Sequence, residues 1–473
     1  MIRSALAVLL LTAATPLAAQ SVAIVGGTIA LGDGSQPIPG GNVVIRNGKI
    51  VGAGTNFPVP ADAQIIDARG KWVTPGIVAG FSRLGLAEVD LSMHEEEGAG
   101  GSGDTAGSAD DSTANGPFSA AIDVVPAINP LNSTIAVNRA DGVTRAIVAP
   151  SAGRSIFAGQ GAVIDLGADM DPVTARRRFQ FVELGQTGAQ NSGGSRASAH
   201  VLFRNALREA SELQRYAVPI SSSAVPEQGQ DPVVRDPNES RLVGPNAKRS
   251  EDVMLTRFDA AALVPVLQGR QYLLVHVERA SDILQVIRLK REFPTLKLVI
   301  VGATEGWTVA DQIAASGIPV IASAANDLPA SFEMLAATWS NVGRMRNAGV
   351  KVSIGMIDDN DTRYLFNERQ YAGNLVGLAR VPGATAVSWA DAMAMLTSAP
   401  AAAVGLDGQI GSLRAGRRGD VVIWSGDPLE MTSNVDAVWI DGVQQPLVTR
   451  QTKLRDRYRD LTPNTLPEAY RRN

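Results

Sequence analysis

The chain has no cysteine among its 473 residues. That excludes a disulfide framework, a thiolate metal site and a cysteine nucleophile. Histidine is nearly as scarce: there are three, His94, His200 and His276. A binuclear centre built on four histidines is therefore excluded, and a three-histidine zinc site would need all of them to converge. An excess of one charge is also lacking. Lys and Arg total 43, Asp and Glu 47, and the formal net charge of −4 is spread along the chain. Nucleic-acid binders usually carry a basic excess on one face, so no such partner is expected. No G-x-S-x-G elbow occurs, and the glycine turns in "GATEGW" and "GGTIALGDG" are too weak a signal to assign a phosphate or dinucleotide loop.

What is present begins with "MIRSALAVLLLTAATPLAAQ". A basic start, a short apolar run, a proline break and small residues read as a signal peptide over residues 1–19, cut before Gln20. The run is too short to span a bilayer, and no later segment reaches that length. The expectation is an exported, periplasmic protein without a membrane span.

Residues 20–72 alternate apolar with polar in short strands, with a hairpin signal at Asn47-Gly48. Residues 405–450 return to strands, with Asp441-Gly442 as another hairpin turn. Two β-rich ends flanking one middle predict a small composite β-sandwich. Between them, from 73 to 404, strands alternate with helical patterns, which implies parallel pairing through crossovers. The length suits a closed (β/α)8 barrel, so the fold class is α/β. Helices are predicted for "ASAHVLFRNALREASELQRYA", for "SDILQVIRLKREF" with Ser281 as cap, for "TVADQIAASG" and for "SFEMLAATWSNVGRMRNAG". Residues 93–117 are acidic and rich in Gly and Ser, and read as a flexible insert. Residues 451–473 form a basic, Tyr-containing tail.

The stretches "GGNVVIRNGKIVGAG", "IDARGKWVTPGIV", "FAGQGAVIDL", "GQIGSLRAGRRGDVVIWSGDPLE" and "VDAVWIDG" resemble the amidohydrolase superfamily, in particular its imidazolonepropionase-like exported members. The resemblance runs over nearly the whole chain after residue 20. It implies a TIM-like barrel with a composite sandwich, and hydrolysis of C–N bonds other than peptide bonds, assisted by a divalent metal, usually zinc. Such sites usually take two histidines spaced i, i+2 on the first barrel strand, further histidines on the fifth and sixth, and an aspartate on the eighth.

Aligned through "VTPG", the first-strand ligand positions hold Phe81 and Arg83. Phe81 has no donor atom, and Arg83 is a cation that repels a metal. Ala79 stands where an aspartate is often found. In "LLVHVERASDI" His276 occupies the fifth-strand ligand position, and Glu278 shares its face. The sixth-strand end offers Gly302 and Ala303. On the eighth, in "SIGMIDDND", Ile357 falls where the aspartate belongs and Asp358 comes one residue late.

Three readings follow. The first is a metal-free barrel serving as a binding protein, or as partner of a metal-competent relative, with Arg83, His276, Glu278 and Asp358 lining a polar pocket and Arg83 paired with Glu278. The second is a hydrolase with a reduced site from His276, Glu278 and Asp358, helped by Glu88 or Asp90. The third is metal-free acid–base hydrolysis through His276 and a carboxylate. A structural role for His276, hydrogen-bonded to Glu278 or a backbone carbonyl, stands beside all three. Self-association is a further partner expectation.

Overall fold

The structure, a computed structural model, describes residues 21–86, 116–216, 253–324, 326–357 and 364–459. The signal-peptide expectation, nearly all of the 93–117 insert, His94, Glu88, Asp90, Asp358 and the end of the tail lie outside these residues.

The amino-terminal strands are β1 (Val22–Ile29), β2 (Ile38–Arg46), β3 (Lys49–Gly54), β4 (Gln64–Asp67) and β5 (Trp72–Pro75). Next come β6 (Ile77–Ser82), α1 (Ser133–Ala140), β7 (Val143–Val148), β8 (Phe157–Asp165), β9 (Val173–Glu183), α2 (Gln186–Asn191), α3 (Arg196–Tyr216), α4 (Arg257–Leu267) and β10 (Tyr272–Val277). After these are α5 (Ala280–Glu292), β11 (Lys297–Gly302), α6 (Ala310–Ser316), β12 (Val320–Ala322), α7 (Asn341–Asn347), β13 (Val352–Ile354), α8 (Asn367–Gly377), α9 (Trp389–Met395) and α10 (Ser398–Ala403). The chain closes with β14 (Val421–Trp424), β15 (Val435–Ile440), β16 (Val443–Gln444) and α11 (Arg450–Tyr458).

The two chain ends share one sheet of order β16-β15-β14-β5-β1-β2-β3, with β4 also on β1. The junction is β5 against β14, Val73 opposite Ile423 and Thr74 opposite Val422. The sandwich read from the sequence is thus, by its hydrogen bonding, a single composite sheet. One of its faces buries Ile24, Ile45, Val73, Ile423 and Trp439 together.

β6 to β13 form an eight-stranded sheet in chain order. It is nearly closed. Met356 N donates to Phe81 O at 3.2 Å across the seam, and a Cβ on Gly80 would collide with the Ile354 carbonyl oxygen. Gly80 is thus what lets β6 come against β13. One expectation needs correction. β8 runs antiparallel to both β7 and β9, so the wall is not eight parallel strands each followed by a helix. The β7–β8–β9 run turns back twice through loops too short for a crossover, which antiparallel pairing permits and parallel pairing does not.

Two helix expectations also change. α5 starts at Ala280, and Ser281 is not its cap. The Ala280 amide instead donates to Glu305 Oε2 at 3.0 Å, so a carboxylate distant in sequence meets the positive end of the helix. The helix read from Ser331 onward begins only at Asn341. Upstream, the Ala336 amide donates to Glu305 Oε1 and the Trp339 amide to Asp327 Oδ1, while the Ala336 carbonyl accepts from Trp307 Nε1. Those tertiary bonds take backbone groups that a helix would need.

The barrel and the composite sheet are bolted together by Arg145 of β7, fully buried. It makes a two-pronged pair with Asp420 at 2.8 and 2.9 Å, and it reaches Asp441 at 2.9 Å and Asp165 at 3.4 Å. Trp424 fills the adjoining space, its indole N–H donating to Thr74 Oγ1 at 2.9 Å.

Candidate functional site at the barrel mouth

Period-two alternation decides what faces the barrel interior. On β9 it sends Phe179, Phe181 and Glu183 inward; on β10 it sends Tyr272, Leu274 and His276. Phe179, Phe181 and Leu274 pack in one interior cluster with Phe81, Val299, Val301 and Ile321. On β6 a one-residue bulge, three steps from Ala79 to Ser82 against two on β7, turns Phe81 to that side. Phe81 and Phe181 are each 1 % exposed, with ring centroids 5.2 Å apart. Phe181 lies 6.5 Å from the His276 ring. Aromatic carbon therefore fills the interior directly below the mouth.

The parallel register of β9 and β10 sets Glu183 beside His276. Their side chains meet: His276 Nδ1 is 2.7 Å from Glu183 Oε2. On the other side, His276 Nε2 is 2.9 Å from Glu278 Oε1. Glu278 has no exposed surface, and its Oε2 accepts the Thr304 amide at 2.7 Å. An ionised carboxylate only accepts hydrogen bonds, so two of them on one ring require both ring nitrogens to donate. The arrangement favours the imidazolium. Burial alone would lower its pKa, but the charge of Glu183 and its hydrogen bond, joined by Glu278, hold it well above the ordinary 6.5.

The Thr304 amide is aimed by an unusual piece of backbone. Gly302 and Ala303 both take positive φ, 93° and 56°. A side chain on Gly302 would collide with Glu278 Oε1. Ala303, by contrast, tolerates a conformation that favours glycine. Gly302→Ala is expected to destabilise by about 2–3 kcal/mol, since overpacking and strain act together. Ala303→Gly is expected to stabilise by about 0.5–1 kcal/mol. Urea unfolding of both variants checks the pair, and a destabilised Ala303→Gly would contradict it.

Around this core, Arg196 bridges Asp282 at 2.7 Å and Glu333 at 2.8 Å, and Glu333 also accepts the Gln186 amide. Arg279 reaches Asp282 at 3.0 Å. Arg83 donates to Ser151 Oγ at 2.7 Å, and its guanidinium lies 5.9 Å from the Phe81 ring centre. The structure thus joins His276 with Glu278, as their spacing predicts. The expected pair of Arg83 with Glu278 is replaced by Glu278 on His276 and on the Thr304 amide. His200, on α3, is half-buried, and burial lowers its pKa. Glu183 is the residue that sequence reasoning missed. The inward parity of "FQFVE" was readable, but the register bringing β9 against β10 was not.

The family model described as amidohydrolase family matches residues 317–445. The sequence is 24 % identical over 430 residues to amidohydrolase tasK of Hapsidospora irregularis, covering 86 % of this chain and 40 % of that protein. The chain is thus similar to members of the amidohydrolase superfamily. A dihydroorotase of Anaeromyxobacter dehalogenans strain 2CP-C is 28 % identical over 286 residues, 58 % of each chain. The chain spans about half the length of the curated relatives it matches. The crystal structure of an amidohydrolase from Thermotoga maritima MSB8 superposes with a TM-score of 0.71 at 23 % identity, over 91 % of this chain and all of that one, which shows the fold.

The similarity to amidohydrolases implies a divalent metal. A metal needs several lone pairs, on deprotonated groups, directed at one point. Phe81 and Arg83 supply none. His276 has both nitrogens committed to carboxylates, and Glu278 has one oxygen on a ring N–H and the other on an amide. Among the described residues, no group of three or more His, Asp or Glu is arranged to hold an ion. Among the described residues, the donors as they are paired here do not direct several lone pairs at one point.

Proposed function

We propose that this amidohydrolase-like barrel does not carry out metal-assisted hydrolysis, and that it acts as a binding protein or as the partner of a metal-competent relative. The observation that carries the reading is the Glu183–His276–Glu278 clamp. A metal-ligating histidine usually gives one ring N–H to a carboxylate and offers the other nitrogen to the ion. His276 keeps the first arrangement with Glu183, while Glu278 takes the place on the far side of Nε2. A proton then supplies the positive charge between the two carboxylates. The same protonation argues against His276 as a general base, because its lone pairs are both occupied. Export to a periplasm belongs to this proposal and rests on the sequence of residues 1–19.

The second reading, a hydrolase of non-peptide C–N bonds, is favoured by the similarity to amidohydrolases. One experiment separates the two. Native protein is assayed for bound zinc, manganese and iron, and for turnover of amide, ester and cyclic-amide substrates before and after chelation. The ring nitrogens of His276 are followed by 15N NMR. The expected result is substoichiometric metal, no chelator-sensitive turnover, and two protonated ring nitrogens at pH 7.5. Stoichiometric metal with chelator-sensitive hydrolysis, or a neutral His276 ring, would overturn the proposal.

A further inference from the structure

A cavity of about 640 Å³ lies at the opposite end of the barrel from His276. Its wall includes the starts of three strands, Tyr272 of β10, Lys297 of β11 and Val352 of β13. α9 and α10 close it through Met395, Ala399 and Ala402. Active sites of such barrels sit at the C-terminal ends of the strands, so this cavity belongs to the other face. Its size falls within the range of small-molecule pockets.

The chemistry of the lining is asymmetric. Leu298, Ile318, Pro319, Val350, Val352 and Met395 supply an apolar floor. Two of its acids are already matched: Asp33 pairs with Arg414 and Asp391 with Arg346. That leaves Lys290, Lys297 and Lys351 facing the one remaining carboxylate, Asp407. Lys297 Nζ sits 5.2 Å from the centre of the Tyr272 ring, which is itself part of the wall. Lys290 Nζ donates to the carbonyls of Pro294 and Leu296. These contacts hold two ammonium groups beside apolar surface without neutralising them.

We propose that this basal cavity binds a small amphipathic carboxylate, its charged end at Lys297 and Lys351 and its hydrocarbon body against the apolar floor. The proposal is independent of the reading of the barrel mouth. Octanoate is the probe, titrated into the full-length protein and followed by calorimetry. Acetate tests for the hydrocarbon body and octylamine for the sign of the charge.

Octanoate is expected to bind saturably, with acetate and octylamine at least tenfold weaker. The Lys297→Glu/Lys351→Glu double variant should weaken octanoate at least tenfold. Ala399→Trp, which changes no charge and fills the space, should do the same. Absence of saturable octanoate binding, equal binding of octylamine, or indifference to both the charge reversal and Ala399→Trp would overturn the assignment. Because the two cavity variants alter the site in unrelated ways, misfolding of one leaves the other as the test.

Discussion

Replacing His276 with alanine is expected to destabilise the protein by about 3–5 kcal/mol, the usual range when one partner of a buried ion pair is removed. Glu183 and Glu278 are 8 % and 0 % exposed at their side chains. Without the imidazolium they would face each other as two negative charges in a medium that solvates neither. Adding Glu278→Gln to His276→Ala should recover part of the loss, since one of the two charges is then gone. The cluster also sets a pH dependence. The folded pKa of His276 lies above its unfolded value. Its contribution is therefore fully present below pH 6.5 and is lost as pH rises through the folded pKa. Wild-type urea midpoints should fall on that alkaline side, and His276→Gln should lack that component. A His276→Ala variant as stable as wild type would show that the clamp holds no charge.

Arg145→Ala should cost a comparable amount, again about 3–5 kcal/mol, and for a different assembly. One guanidinium with no exposed side-chain surface serves Asp420, Asp441 and Asp165. The three carboxylates are not equivalent. Burial pushes Asp441 up, but Arg145 and Arg418 outweigh it and hold its carboxyl below the ordinary range. Asp165 is pushed up to about 6, because burial exceeds what Arg145 returns at the longer distance. Its contribution to stability is thus present below the ordinary 3.8 and is lost as pH rises through about 6. Asp165→Asn should flatten stability between those values, and thermal melts across pH 4–7 measure it. An Arg145→Ala protein unchanged in urea midpoint would remove the bolt from the account of the fold.

The sequence carried the parity of the barrel strands and the pairing of the two chain ends. Alternation in "YLLVHVE" places His276 and Glu278 on one side, and hydrogen bonding joins them. Alternation also puts Glu183 inward, yet nothing local says which strand lies next to β9. The antiparallel β8 was hidden for a related reason. A buried strand reads as a continuous apolar run in either direction, and "FAGQGAVID" carries no mark of polarity. The late start of α7 was illegible because its competitors are Glu305, Asp327 and Trp307, each distant in the chain or in a loop of its own. The positive φ of Ala303 is equally silent, since alanine is no marker of such a conformation.

The seam between β5 and β14 has a consequence in time. Val73 must wait for Ile423, some 350 residues later by their numbering. During synthesis at ribosomal rates the early hairpin of β1 to β3 is made while its eventual neighbour does not yet exist. The entropic cost of closing so long a loop grows only slowly with length, but the contact is delayed. The strand that completes the sheet is therefore among the last to arrive, and a chain cut short before residue 421 would leave β5 with an open edge, able to recruit another molecule.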